Sequence, residues 1–334
     1  MENKSGFVCQ IGMVAPSGFG KTSLIASVFR KGPICPGVSI VINDKPTAKR
    51  LAILDECLER AGRGAMAPVG AVEPTPRHCI YGVKIDAGGR GEGIPVAWLD
   101  YAGDSIDPYR TVTPGTDRDY DIWWNWIRDS NVLMIPIDAG YIMEAKTERQ
   151  QAYVARIVRA SGVVKVAKEW AEERRRFAPD PALMLLCPVQ CETYFADNGG
   201  TQDRSSELVD AVAKYYGGVI DVVLSVAPFA TICYAPVDTM GSVAIVDSHW
   251  EDVPGSNTQL ACCCHFGIRP VRGERAKGAD DVLAMISLYA AQAKRAWYAA
   301  SGRSALGDAA VQRLDSVIAK ISLRRTGSRP PSPR

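Results

Sequence analysis

The residues whose types and spacing best suit chemistry are Ala15-Pro16-Ser17-Gly18-Phe19-Gly20-Lys21-Thr22. Their spacing fits the phosphate-binding loop G-x-x-x-x-G-K-S/T, with Ala15 in the place of the first glycine. Gly18 and Gly20 can take positive φ and let the backbone approach an anion. Successive amide N–H groups of Ser17, Gly18, Phe19, Gly20, Lys21, Thr22 and Ser23, at a helix start, would then point at a phosphate. Lys21 would reach the β and γ phosphates, and the Thr22 hydroxyl would ligate Mg²⁺. A second chemical signal lies in "GIPVAWLDYAGDS", where an apolar run leads into Asp100 and continues as D-x-x-G to Gly103. A carboxylate at a strand end can hold Mg²⁺ through water, and the Gly103 amide can sense a γ-phosphate.

Both signals need elements to position them. A phosphate loop requires a strand entering and a helix leaving. "VCQIGMV" (Val8 to Val14) reads as a buried strand and "KTSLIASVF" (Lys21 to Phe29) as a helix. "RHCIYGVKI" (Arg77 to Ile85) and "IPVAWL" (Ile94 to Leu99) are strand-like runs joined by the Gly-rich "DAGGRGEG". So short a link permits only an antiparallel hairpin, because a parallel crossover needs about a dozen residues. "NVLMIPID" (Asn131 to Asp138) and "ALMLLCPV" (Ala182 to Val189) flank a helical stretch from about Glu144 to Phe177, the pattern of a parallel sheet. Pro136 and Pro188 are expected at strand ends. The fold class read from this order is α/β: a P-loop NTPase three-layer sandwich with a mostly parallel sheet and one antiparallel edge hairpin.

With these motifs and this order in hand, the chain resembles the translation-factor-related (TRAFAC) class of P-loop GTPases. More narrowly, it is similar to bacterial double-GTPase-like proteins of multi-gene conflict or signalling systems. The resemblance runs from about Val8 to Trp297. It implies a switch I threonine before the hairpin, a place that Thr75 takes in "EPTPRHC", closing on Mg²⁺ and the γ-phosphate. It implies an N/T-K-x-D base-recognition motif where this chain has "VQCE": Val189 replaces the Asn or Thr, Gln190 the Lys and Glu192 the Asp. A base-contacting S-A-x loop would lie near Ala235. The residue after D-x-x-G, often a water-orienting Gln in such GTPases, is Asp104, whose carboxylate repels the γ-phosphate, so slow intrinsic hydrolysis is expected. Arg110, or an arginine from a partner, would supply the missing positive charge. The implied function is a molecular switch binding GTP (or ATP) with Mg²⁺ and controlling a protein partner encoded nearby. An ATPase module and a non-hydrolysing nucleotide-binding scaffold stay open: the base loop at Glu192 separates GTPase from ATPase, and the group that positions water separates both from the scaffold.

Domain organisation is read as one nucleotide domain over 1–300, with an insertion and switch I region at 31–76 that holds a helix from Thr47 to Gly62. A C-terminal helix at 301–323 and a Pro, Ser and Arg-rich tail at 324–334, expected to be disordered, complete it. The chain has 334 residues with 39 basic against 37 acidic, a balance with no bulk field to recruit nucleic acid or an anionic membrane. The start "MENKSGFVCQ" shows no secretory pattern, so a cytoplasmic location is expected. The 16 uncharged residues from Val222 to Val237 fall short of the roughly 20 a spanning helix needs, and they include Pro228 and Pro236. They read as a helix end followed by a core strand. Trp123, Trp126 and Ile127 share a helical face suited to the core. Ten cysteines without framework spacing read as small buried apolar groups. "ACCCHFG" (Ala261 to Gly267) reads as a buried strand rather than a zinc site, because adjacent cysteines alternate and no second C-x-x-C pair accompanies them.

Overall fold

A computed structural model describes residues 6–16, 18–29, 38–42, 44–62, 78–86, 93–101, 118–160, 162–177, 180–196, 202–239, 243–255, 259–268 and 277–300, with 312, 314–316 and 318–319. Its centre is a seven-stranded sheet in the order β2-β3-β4-β1-β5-β6-β7. In chain order these are β1 (Cys9–Met13), β2 (Ser39–Val41), β3 (Cys79–Asp86), β4 (Ile94–Asp100), β5 (Val132–Asp138), β6 (Leu183–Val189) and β7 (Thr231–Tyr234). β4, β1, β5, β6 and β7 run parallel, and β3 and β2 close one edge antiparallel. The parallel strands are apolar on both faces, as helices on both sides require: every residue of β6 and all but the last of β5 are buried.

Helices α1 (Lys21–Phe29), α2 (Lys45–Gly62) and α8 (Ala279–Ala300) pack together on one side. On the other lie α3 (Arg118–Asp129), α4 (Ala139–Met143), α5 (Glu148–Ala160), α6 (Val163–Arg176) and α7 (Ser205–Val226). The stretch expected as one helix from Glu144 to Phe177 is therefore two helices and a preceding turn, divided where Gly162 takes φ +67°. α2 begins at Lys45, earlier than Thr47, because the Asp44 carboxylate accepts the Thr47 amide at 2.8 Å and its hydroxyl as well. The Thr47 hydroxyl in turn accepts the Gly82 amide at 3.0 Å, fastening α2 to β3. Trp123 and Ile127 are buried as expected, and Trp126 donates to the Ile11 carbonyl at 2.9 Å.

Pro136 and Pro188 lie within their strands rather than at the ends, paired with Cys187 and Ile137. The β1 register stops at Met134, so on that side of Pro136 there is no ladder bond to lose. Past β7 the chain continues into β8 (Val243–Asp252) and β9 (Leu260–Ile268), an antiparallel pair outside the main sheet. "ACCCHFG" is thus a strand, but not a buried one: Cys262, Cys263 and Cys264 are half-buried. Only Cys9, Cys187 and Cys191 of the described cysteines are fully buried. Glu144 anchors the hairpin to the body: it accepts from Ser248 at 3.0 Å and Tyr194 at 3.1 Å through its carboxylate, and from Trp250 at 2.9 Å through its carbonyl. Burial raises the Glu144 pKa, but hydrogen bonds from Lys146, Ser248 and Tyr194 outweigh it and leave the group below its ordinary value. Leu314 is buried, and residues 312, 314–316 and 318–319 are helical. Among the described residues no helix is long and apolar enough to cross a membrane.

Two predictions follow from local geometry. Gly278 has φ +81°, and a Cβ there would stand 1.9 Å from the Pro236 carbonyl oxygen. Gly278→Ala should cost about 2 kcal/mol or more, read as a lower urea midpoint with an unchanged slope. Asp138 caps α4 by accepting the Tyr141 amide at 3.0 Å, yet burial of its carboxyl raises its pKa to about 6, only partly offset by the Tyr141 and Gly140 amides. A carboxyl raised in the folded state favours folding below its ordinary pKa, and that contribution is lost as pH rises through 6. Asp138→Asn keeps the cap without the charge, so its stability relative to wild type should increase between pH 4 and pH 8. A flat difference in urea midpoint over that range would contradict the burial argument.

Candidate functional site

β1 and β4 are adjacent and parallel with Ile11 beside Trp98, so the residues that follow them emerge together at one sheet edge. There the Thr22 hydroxyl, in the first turn of α1, donates to Asp100 Oδ2 at 2.9 Å. Asp100 is fully buried and Lys21 is 6% exposed. The Lys21 ammonium donates to the carbonyls of Ala15 at 2.9 Å and Pro16 at 2.8 Å, which turn it back over the loop. It also lies 5.0 Å from the centre of the Tyr101 ring.

Tyr101 is a residue that sequence reasoning passed over as one of the variable positions of D-x-x-G. Its hydroxyl accepts the Ala15 amide at 3.2 Å and donates to the Ala15 carbonyl at 3.3 Å, tying the exit of β4 to the loop after β1. Burial pushes its pKa well above the ordinary tyrosine value, so it stays a neutral hydroxyl. Gly18 and Gly20 have φ of +80° and +73°, the left-handed conformations expected of the loop. A Cβ on Gly20 would also meet Val189 Cγ2 at 2.8 Å. That contact seats the glycine loop directly on the end of β6, where "VQCE" begins.

Gln190 follows with φ 55°, a left-handed conformation unusual for a side-chain-bearing residue. The chain then enters a single 3₁₀ turn, Glu192–Tyr194, in which Glu192 is buried. The Thr239 hydroxyl donates to Glu192 Oε1 at 3.5 Å. The single Ser27 hydroxyl proton of α1 is shared between the Ser23 carbonyl at 2.9 Å and the Thr239 carbonyl at 3.1 Å, so the helix leaving the glycine loop also contacts the loop after β7. Asp238, on the same loop, exchanges bonds with Lys277: its amide donates to the Lys277 carbonyl at 3.0 Å, and its carboxylate accepts the Lys277 amide at 3.0 Å.

The structure thus brings Gly18, Phe19, Gly20, Lys21, Thr22, Ser23, Asp100, Gln190 and Glu192 to one edge of the sheet. Ala235 is buried, and its amide donates to the Leu186 carbonyl at 2.8 Å. A further bridge between Val189 and Val237 carries the ladder on, so Asp238 and Thr239 are the residues that arrive beside Glu192. Ser17, Thr75, Gly103, Asp104 and Arg110 lie outside the described residues. Phe19 meets Tyr141 of α4 with ring centres 5.5 Å apart, packing the loop against that helix. Chemically the site offers a lysine and loop amides for an anion, two hard oxygen donors in Thr22 and Asp100, and a buried carboxylate facing a hydroxyl.

No family model matches the chain, and no curated protein matches it. Among solved structures it is similar to the signal recognition particle receptor SRb-GTP/SRX complex from Chaetomium thermophilum, at 13% identity over 74% of this chain and 95% of that one, with a TM-score of 0.35. It is similar to Toc33 from Arabidopsis thaliana at 12% identity, over 69% of this chain and 70% of that one, with a TM-score of 0.34. Similarity to SsGBP in its GDP complex is 13% in identity, covering 72% of this chain and 47% of that one, with a TM-score of 0.28.

Proposed function

We propose that the chain is a nucleoside-triphosphate-binding switch of the P-loop GTPase type, hydrolysing slowly on its own and controlling a protein partner. The observation that carries this reading is the 2.9 Å bond between Thr22 and Asp100 beside the lysine-bearing loop. A chance glycine turn has no reason to place a threonine hydroxyl and a fully buried aspartate together at the start of its helix. That pair supports Mg²⁺, because a hydroxyl and a carboxylate are the hard oxygen donors this ion takes. When bound, Mg²⁺ neutralises charge on the phosphate oxygens. Lys21 and the loop amides hold the anion. Tyr101 ties the exit of β4 to the loop after β1. Gly103 and Thr75 are proposed to close on the γ-phosphate, Asp104 to slow hydrolysis, and Arg110 or a partner arginine to accelerate it; these roles rest on sequence and on the family resemblance.

Guanine is the proposed base. Glu192 retains a carboxylate that could accept from both N–H donors of guanine; Thr239 donates to it, and Asp238 accepts from the adjacent Cys191 thiol. Val189 packs on Gly20 instead of offering an amide or hydroxyl, so selectivity should be weaker than with a full N/T-K-x-D motif. The test is thermal stabilisation of the purified protein by GTP or ATP with Mg²⁺. A ligand bound only to the native state adds RT ln(1 + [L]/Kd), about 2.7 kcal/mol at a hundredfold excess over Kd. Wild type should gain this from GTP, and Lys21→Ala should lose it. Glu192→Gln keeps the buried volume and removes the carboxylate, so it should lower the GTP over ATP preference about tenfold or more, by analogy with one bidentate base contact. Stabilisation that survives Lys21→Ala would overturn nucleotide binding at this loop. A preference unmoved by Glu192→Gln would leave binding standing and turn the reading toward the ATPase module.

A further inference from the structure

Away from the glycine loop, the β8–β9 hairpin has two unlike faces. Asp247 pairs with His265 and His249 with Cys263, so Asp247, His249, Glu251, Cys263 and His265 share one face and their alternating neighbours the other. The inner face is seated: Ser248 and Trp250 bond to Glu144, and Cys264 lies where a side chain on Gly140 would meet its sulfur at 3.0 Å. The Ile245 amide bonds to the Thr193 hydroxyl, fixing the hairpin to the turn that carries Glu192. The outer face is open to solvent and carries two of the three histidines in the chain.

Their geometry is close. His265 Nδ1 stands 3.5 Å and His249 Nδ1 3.9 Å from the Asp247 carboxylate, and the two imidazole centres are 5.4 Å apart. One donor atom from each of Asp247, His249 and His265 lies within 4.8 Å of the others, and the same holds for His249, Glu251 and Cys263. Tetrahedral zinc with nitrogen and oxygen ligands at about 2.0–2.2 Å sets those ligands about 3.3–3.6 Å apart. Small side-chain rotations, unhindered at 48%, 62% and 67% exposure for His249, His265 and Asp247, reach that spacing.

We propose that Asp247, His249 and His265 form a binding site for a divalent transition ion, zinc foremost, on the outer face of this hairpin. The backbone ladder holds the three donors in register before any metal arrives. Imidazole nitrogen selects zinc over Mg²⁺, which takes oxygen donors, so the site is chemically distinct from the Thr22 and Asp100 pair. Three protein ligands leave a fourth position open to water or to a donor from another molecule. Cys263 and Glu251 flank His249 and are not needed as ligands.

The experiment titrates Zn²⁺ into the full chain, freed of metal and nucleotide, against a chromophoric chelator. Co²⁺ then replaces Zn²⁺ to read coordination from the visible spectrum. Wild type should hold one Zn²⁺ that the double variant His249→Ala/His265→Ala binds about tenfold or more weakly. The metal-free variant should keep the wild-type Tm, since both imidazoles are exposed. Cys263→Ser should retain the zinc affinity, and Co²⁺ in wild type should show no thiolate charge-transfer band. Equal zinc affinity in wild type and the double histidine variant would overturn the site. So would a loss in Cys263→Ser as large as that in the histidine variant, which would move the ion to the cysteines.

Discussion

A loop that follows one strand can meet an aspartate that ends another only if the two strands lie side by side, run the same way and stop at the same level. β1 and β4 satisfy that constraint, and the rest of the architecture follows from it. Parallel neighbours need long crossovers, which is why β3 must turn antiparallel to reach β4 through a short link. β1, β4, β5 and β6 consequently deliver the glycine loop, Asp100, Asp138 and "VQCE" to one edge, the place where open α/β sheets bind ligands.

Two small contacts keep that edge stiff. Tyr101 bonds both polar groups of Ala15, and Ser27 bonds the Thr239 carbonyl. The first joins the exit of β4 to the loop after β1, and the second joins α1 to the loop after β7. The α8 helix joins the same network through the reciprocal Asp238 and Lys277 bonds, and Gly278 permits that docking because no other residue fits against the Pro236 carbonyl.

Much of this was legible in local pattern. The glycine loop, the apolar runs of β1, β5 and β6 and the β3–β4 hairpin are all written in consecutive residues, where period and turn chemistry act. What escaped was set by distant partners. β2 is three residues long and gains its identity only by pairing with β3. Tyr101 looked like a variable letter in a motif, since its two bonds are to a residue 86 positions away. The ladder beyond β7 runs on through Val237, which a count along the strand cannot reveal. The cysteine run misled differently: its alternation was read correctly, but the partner strand that supplies Asp247 and His249 was not visible from "ACCCHFG" alone.

The "VQCE" segment departs from the N/T-K-x-D pattern in a physically coherent way. Val189 offers no polar group, and its methyl carbons instead fill the space beside Gly20, so the loop is held there by packing rather than by a hydrogen bond. Gln190 accepts a left-handed backbone, a conformation that costs on the order of 1–2 kcal/mol in a residue with a Cβ. That turn carries the chain straight from the end of β6 into the 3₁₀ turn, burying Glu192 against Thr239. A carboxylate so placed is paired by a hydroxyl from the neighbouring loop, and that loop is in turn bonded by Ser27 on the very helix that leaves the glycine loop. The glycine loop and the loop facing Glu192 are therefore joined through α1, which starts beside the first and bonds the second at Ser27.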